Sequence, residues 1–164
     1  MTETVKSLWP PQIRPNILSP MTILQAQAAA LLQQTGGVLS ADIKRREEED
    51  KLILTFDIVV PALDGYRHRV LVLAHGRDMA YPAVVDAEVF RPTGLASVRE
   101  FIEAQQAPLL GVTKKPVNRA DSDQELVDLV GKVLQSPQVL SAAQSLIARA
   151  SEALAAKEAG NGES

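Results

Sequence analysis

The feature that most constrains this chain is a pair of adjacent β-prone runs that are apolar on both sides. Residues 51–60 (KLILTFDIVV) and 66–75 (YRHRVLVLAH) are rich in aliphatic and β-branched side chains. Asp64-Gly65 between them supplies a turn that lets them pair as an antiparallel hairpin. With Leu63 placed opposite Tyr66, Leu54, Phe56, Ile58 and Val60 share one face with Leu71 and Leu73. Thr55, Asp57 and Val59 then share the other face with His68, Val70 and Val72. A sheet with one wet face alternates more cleanly than this. The expectation is helices on one face and partial cover on the other, from the N-terminal arm or a second subunit. A bulge in the turn would exchange the two assignments.

The flanks supply the remaining elements. Ser19 can cap a helix and Pro20 suits its first position, where no backbone donor is needed. Met21, Leu24, Ala28 and Leu31 recur at helical spacing, and Gly36-Gly37 ends the pattern. A strand is expected over 38–46, running into a mixed charge block, Lys44 to Asp50, that suits an exposed hairpin tip. Another is expected over 82–90, with Ala83, Val85, Ala87 and Val89 facing one way and Val84, Asp86, Glu88 and Phe90 the other. Ser97-Val-Arg-Glu100 has the pattern of a capping box and opens a short helix to about residue 106. Residues 108–120 read as a loop. Ser122-Asp-Gln-Glu125 opens a helix to about residue 135, and Ser136-Pro137 ends it and starts the last one. In that helix Leu140, Ala143, Ile147, Ala150 and Leu154 form a heptad-like seam.

Strands grouped together and helices grouped together imply an α+β fold. The expected architecture is an antiparallel meander of about four strands, flanked by an N-terminal helix and C-terminal helices. Residues 1–18 form a proline-rich arm, 19–156 a single domain, and 157–164 a tail without fixed structure. An arm of this kind usually wraps its own domain, here with Trp9 and Ile13 as buried anchors; the alternative is a docking segment for a partner.

Composition removes several chemistries. Zero cysteines exclude thiol nucleophiles, disulfides and thiolate metal sites, and fit a reducing, cytoplasmic setting. The two histidines, His68 and His75, lie seven apart on one strand and are expected on opposite faces, which argues against a histidine zinc site. The balance of 17 Lys and Arg against 20 Asp and Glu gives a net charge of −3, and aromatics are 4%. Neither favours nucleic acid as a partner. No apolar run is long enough to span a membrane. The glycine motifs that cradle phosphates and the G-x-S-x-G elbow of serine hydrolases are missing. No cofactor is implied.

Three constellations carry some chemistry. Asp57, Asp86 and Glu88 are carboxylates on neighbouring strands, a type of set that can hold Mg²⁺ or Mn²⁺ for phosphoester hydrolysis. A nuclease-like site would place a lysine where Phe90 stands, and ion pairing of Asp86 and Glu88 with Arg67 or Arg69 competes with metal binding. Asp57 and His68 share a face in the assumed register but lie about 13 Å apart at strand rise, too far for a general-base pair. Lys114, Lys115 and Arg119 form a basic loop for a phosphate or an acidic partner. The balance favours a non-enzymatic protein-binding or assembly module, self-associating as a homodimer, with Trp9, Leu140, Ile147 and Leu154 as partner-binding residues. The alternative is a metal-dependent hydrolase using Asp57, Asp86 and Glu88.

Overall fold

Ser-Pro and Ser-x-x-Glu steps set the helix starts, as local chemistry requires. The computed structural model describes residues 6–13, 16–91 and 116–161. Helix α1 spans Pro20–Gln34, and the Ser19 side chain accepts a hydrogen bond from the Thr22 backbone N–H. Gly36 and Gly37 adopt positive φ and close the helix, with Gly37 N–H donating to Leu32 O at 2.9 Å. Helix α2 spans Asp123–Leu134. Ser122 Oγ caps it at Glu125 N–H, while the Glu125 carboxylate reaches back one residue further, to Asp121 N–H at 2.7 Å. Ser136 is buried and serves two helices: its hydroxyl donates to Val133 O at 2.6 Å and accepts from Val139 N–H. Helix α3, Pro137–Asn161, begins there. It runs past residue 157, so the expected tail is helical as far as Asn161.

The fold is α+β, and the sheet is an antiparallel meander. Among the described residues it has five strands in the order β1-β2-β3-β4-β5. They are β1 Ser40–Glu48, β2 Lys51–Val60, β3 Tyr66–Gly76, β4 Ala83–Asp86 and β5 Arg119–Ala120. The expected strand over 82–90 is shorter. It ends at Asp86, and a 3-10 turn, Glu88–Phe90, follows. The fifth strand falls at the end of the expected loop. Its register is held by Arg119 opposite Val84 and by Asn118 Nδ2 donating to Val85 O at 3.0 Å. The helix expected from Ser97, together with Lys114 and Lys115, lies outside the described residues.

The central hairpin departs from the expected register in a specific way. Its connection is a 3-10 turn, Pro61–Leu63, followed by Asp64 and Gly65 at positive φ, so Val60, not Leu63, pairs with Tyr66. A bulge then resets the ladder between Phe56 and Asp57. Phe56 faces Leu71, Asp57 faces Arg69, and Val70 is the extra residue. The expected shared face of Leu54, Phe56, Leu71 and Leu73 therefore holds, while the half of β3 next to the connection is inverted. Val70 turns inward and is buried with Leu71. His68 pairs with Ile58 on the core face instead of joining Asp57, and Arg67 and Arg69 take the Asp57 side.

All three helices pack against one side of the sheet. Ile23 and Leu24 of α1, Leu126, Val130 and Val133 of α2, and Leu146 and Ala150 of α3 form one core with Leu54, Phe56, Leu71, Leu73 and Val85. The buried stripe of α3 is rotated from the expected seam. Val139, Ala143, Leu146 and Ala150 face the core, Ile147 is partly buried, and Leu140 and Leu154 are 49% and 46% exposed. Helix α3 packs against the Pro61–Leu63 turn, and its exposed Arg149 sits 5.5 Å over the Tyr66 ring. Leu146→Ala is expected to cost about 2–5 kcal/mol in urea unfolding, and Leu140→Ala less than about 1 kcal/mol. Equal effects would contradict this helix phase.

Candidate functional site

Among the described residues, the helices leave one face of the sheet clear. Residues directly opposite on antiparallel strands share a face. The pairings therefore place Ile53, Thr55 and Val59 of β2, Val72 and Ala74 of β3, and Val84 of β4 on this side. They are partly or well exposed, Val84 at 42%, and no described element packs over them. Lys44 and Arg46 on β1, Asp86 on β4 and Arg119 on β5 frame this strip.

At the connection end of the strip the chain buries a carboxylate. Asp57 is only 4% exposed, although it points to the uncovered side. The arginines brought over by the bulge cover it: Arg69 Nε donates to Asp57 Oδ1 at 3.4 Å, and Arg67 Nη1 lies 3.6 Å from Oδ2. Arg67 also donates to Asp42 Oδ2 at 2.8 Å, and that hydrogen bond is the main reason its guanidinium holds its proton more tightly than usual. Arg67 and Arg69, expected as partners of Asp86 and Glu88, thus pair with Asp57 instead. No buried side-chain polar atom among the described residues lacks a hydrogen-bond partner.

The three carboxylates of the hydrolase reading do not converge. Asp86 lies two strands from Asp57 and one row along, on the order of 12 Å at ordinary sheet spacings. It is exposed and pairs with Arg91 at 3.5 Å. Glu88 is exposed in the 3-10 turn after β4, off the strand. Among the described residues no group of three His, Cys, Asp or Glu side chains is placed to hold a metal.

The histidines share the core-side face, contrary to expectation, because the bulge adds one residue between them. Their partners, Ile58 and Leu52, are six residue steps apart on β2, which puts the two rings roughly 20 Å apart along the strand. His75 Nδ1 lies 2.8 Å from Gly76 O, which requires a hydrogen on that nitrogen. His75 borders a cleft of about 290 Å³ between the start of α1 and the far ends of β2 and β3, with Met21, Arg45, Leu52, Arg77 and Asp78. Arg45 and Arg77 both turn to Glu47, at 3.1 and 3.8 Å, so much of the positive charge there is already matched. Of the expected basic loop, Arg119 is described, and its Nε pairs with Asp121 at 2.9 Å.

Trp9 is 76% exposed and Ile13 is also well exposed, so the arm does not wrap its own domain on those two side chains. Its root is nonetheless fixed. Leu18 N–H donates to Asp123 Oδ2 at 2.9 Å, and Tyr81 OH donates to Leu18 O at 2.6 Å. No helix among the described residues is long and apolar enough to cross a membrane. Comparison with protein-family models, with curated proteins and with solved structures finds no match.

The Tyr81 anchor has a pH signature. Burial disfavours the phenolate and Asp123 adds to the effect, so the phenol is pushed up to about 12 from its ordinary 10.0. Below pH 10.0 both folded and unfolded chains keep the proton; between 10.0 and about 12 only the folded one does, so stability falls with rising pH there. Tyr81→Phe should flatten unfolding free energy against pH in that window. In Tyr66→Phe protein, absorbance titration should find the remaining phenol at about 12; a midpoint near 10.0 would contradict the anchored hydroxyl.

Proposed function

We propose that the protein is a non-enzymatic, cytoplasmic protein-binding or assembly module that associates with itself through the open face of its sheet. The observation that carries this reading is the strip of Ile53, Val59, Val72 and Val84, with a full helical layer on the opposite side and no described element on this one. Two further points support it. Strands of this length, about 4.8 Å apart, give a face on the order of 500 Å² in plane, the same order as the roughly 800 Å² per partner in a stable complex. The cations of the face alternate with Asp42, Asp57 and Asp86, a mixed pattern that suits a protein surface better than a phosphate backbone. The cytoplasmic assignment rests on zero cysteines.

Trp9 of the arm and the Leu140, Ile147 and Leu154 stripe of α3 are further partner-binding candidates. Each is smaller than a stable interface needs, and each serves in this reading as an accessory contact.

The test is light scattering coupled to gel filtration of the full chain. The wild type is expected to run as a dimer at tens of micromolar. Val72→Lys should run as a monomer with a Tm within about 4 °C of wild type, since the change lies outside the core. A wild-type chain that stays monomeric at the highest attainable concentration would overturn the proposal.

A further inference from the structure

We propose that the open face is covered by the same face of a second copy, with a two-fold axis lying in the interface, parallel to the strands and between β2 and β3. This rests on the reading of that face as an assembly surface and specifies its occupant and geometry. The argument comes from the register. Lys44 pairs with Thr55, Thr55 with Val72, and Val72 with Asp86, so these four side chains form one row across β1 to β4 on the uncovered side. The row has a cation at one end, a carboxylate at the other and two small side chains between them.

A two-fold axis parallel to the strands reverses this row onto itself. Lys44 then stands over the partner's Asp86, Asp86 over the partner's Lys44, and Thr55 over the partner's Val72. An extended lysine and a short aspartate together bridge the roughly 10 Å between face-packed sheets. Both termini of the row are available. Lys44 is exposed and has no ion pair with a described residue. The pair of Asp86 with Arg91 joins two mostly exposed groups at 3.5 Å, a weak, solvent-screened contact.

The apolar middle of a neighbouring row is compatible with the same axis. Asp42, Asp57 and Arg69 form the next row, and reversal sets Arg69 over the place of the partner's Asp57, a carboxylate that its own arginines already pair. Arg46, Ile53, Ala74, Val84 and Arg119 form the row on the other side; reversal sets Ile53 over the partner's Ala74 and Arg46 over the partner's Val84, and leaves Arg119 beyond the partner's β1 edge. Alternative pairings fare worse. An axis across the strands through the Lys44 row would put Lys44 on the partner's Lys44 and Asp86 on the partner's Asp86. Edge-to-edge pairing through β1 would bring together two strands that carry Lys44, Arg45, Arg46, Glu47 and Glu48, the charged pattern that blunts an edge.

The test is a charge-reversal set on the full chain, read by sedimentation equilibrium at low salt: wild type, Lys44→Glu, Asp86→Lys, the double variant, and an equimolar mixture of the two single variants. The two-fold places each altered contact in the dimer twice. Each single variant should therefore dimerise about tenfold more weakly. The double variant should recover wild-type affinity. The mixture should form a heterodimer, because both of its charged contacts become complementary. All positions are exposed, and circular dichroism should show one common fold. A monomeric wild type would overturn this inference together with the function proposed above. A dimeric wild type whose single variants are not weakened, or whose double variant and mixture are not restored, would overturn the axis and leave self-association standing.

Discussion

One extra residue in β3 sets the partition of this molecule into a dry side and a charged side. Arg67, Arg69, Leu71 and Leu73 alternate in phase, so an unbroken strand would point all four the same way. Two guanidiniums would then enter the core beside two leucines, at a desolvation cost and on the side away from Asp57, the one buried acid among the described residues. The bulge at Val70 removes the conflict. Leu71 and Leu73 stay inward opposite Phe56 and Leu54, while Arg67 and Arg69 swing outward. Val70 itself joins the core, so the insertion leaves no apolar side chain stranded.

The same phase change makes room for Asp57. A carboxylate in the middle of a central strand and almost out of water carries a desolvation cost unless it is paired. Here its strand position coincides with the arginines that the bulge delivers, and their stems and guanidiniums cover it. Asp42 on β1 extends the network by one strand, sharing Arg67. Polar order on one face and close packing on the other thus have one backbone cause.

The elements whose cause is local were legible in the sequence. Ser19-Pro20, Ser122 to Glu125 and Ser136-Pro137 mark helix starts because a hydroxyl, a missing N–H and a carboxylate act within one turn of chain. The strand positions of Leu54, Phe56, Leu71 and Leu73 were legible from alternation. The bulge was also written in the chain, as two arginines in phase with two leucines, but its reading requires asking which side chains a face can bury, not only which alternate. The phase of α3 was ambiguous for a different reason. Its two apolar stripes, one through Leu140, Ile147 and Leu154 and one through Val139 and Leu146, share Ala143 and Ala150, and only tertiary contact chooses between them. β5 is two residues long and has no period to detect. For the candidate site, Lys44, Asp86 and Val72 were visible as residues, but their common row follows from three successive registers that local pattern does not fix.

The contrast between the apolar surfaces bears on how such a chain finds a partner. The arm offers Trp9 and Ile13 on a segment held by hydrogen bonds at its Leu18 end, so seating it would cost ordering entropy. The α3 stripe is rigid but narrow. The sheet face is both broad and preorganised, because every strand in it is held by a ladder and by the core on its far side. Its charges also add a selection rule that apolar contact lacks. A row with unlike ends matches a reversed copy of itself and rejects a copy in the same sense, so the proposed two-fold would bury Val72 and remove the like-charge contacts together.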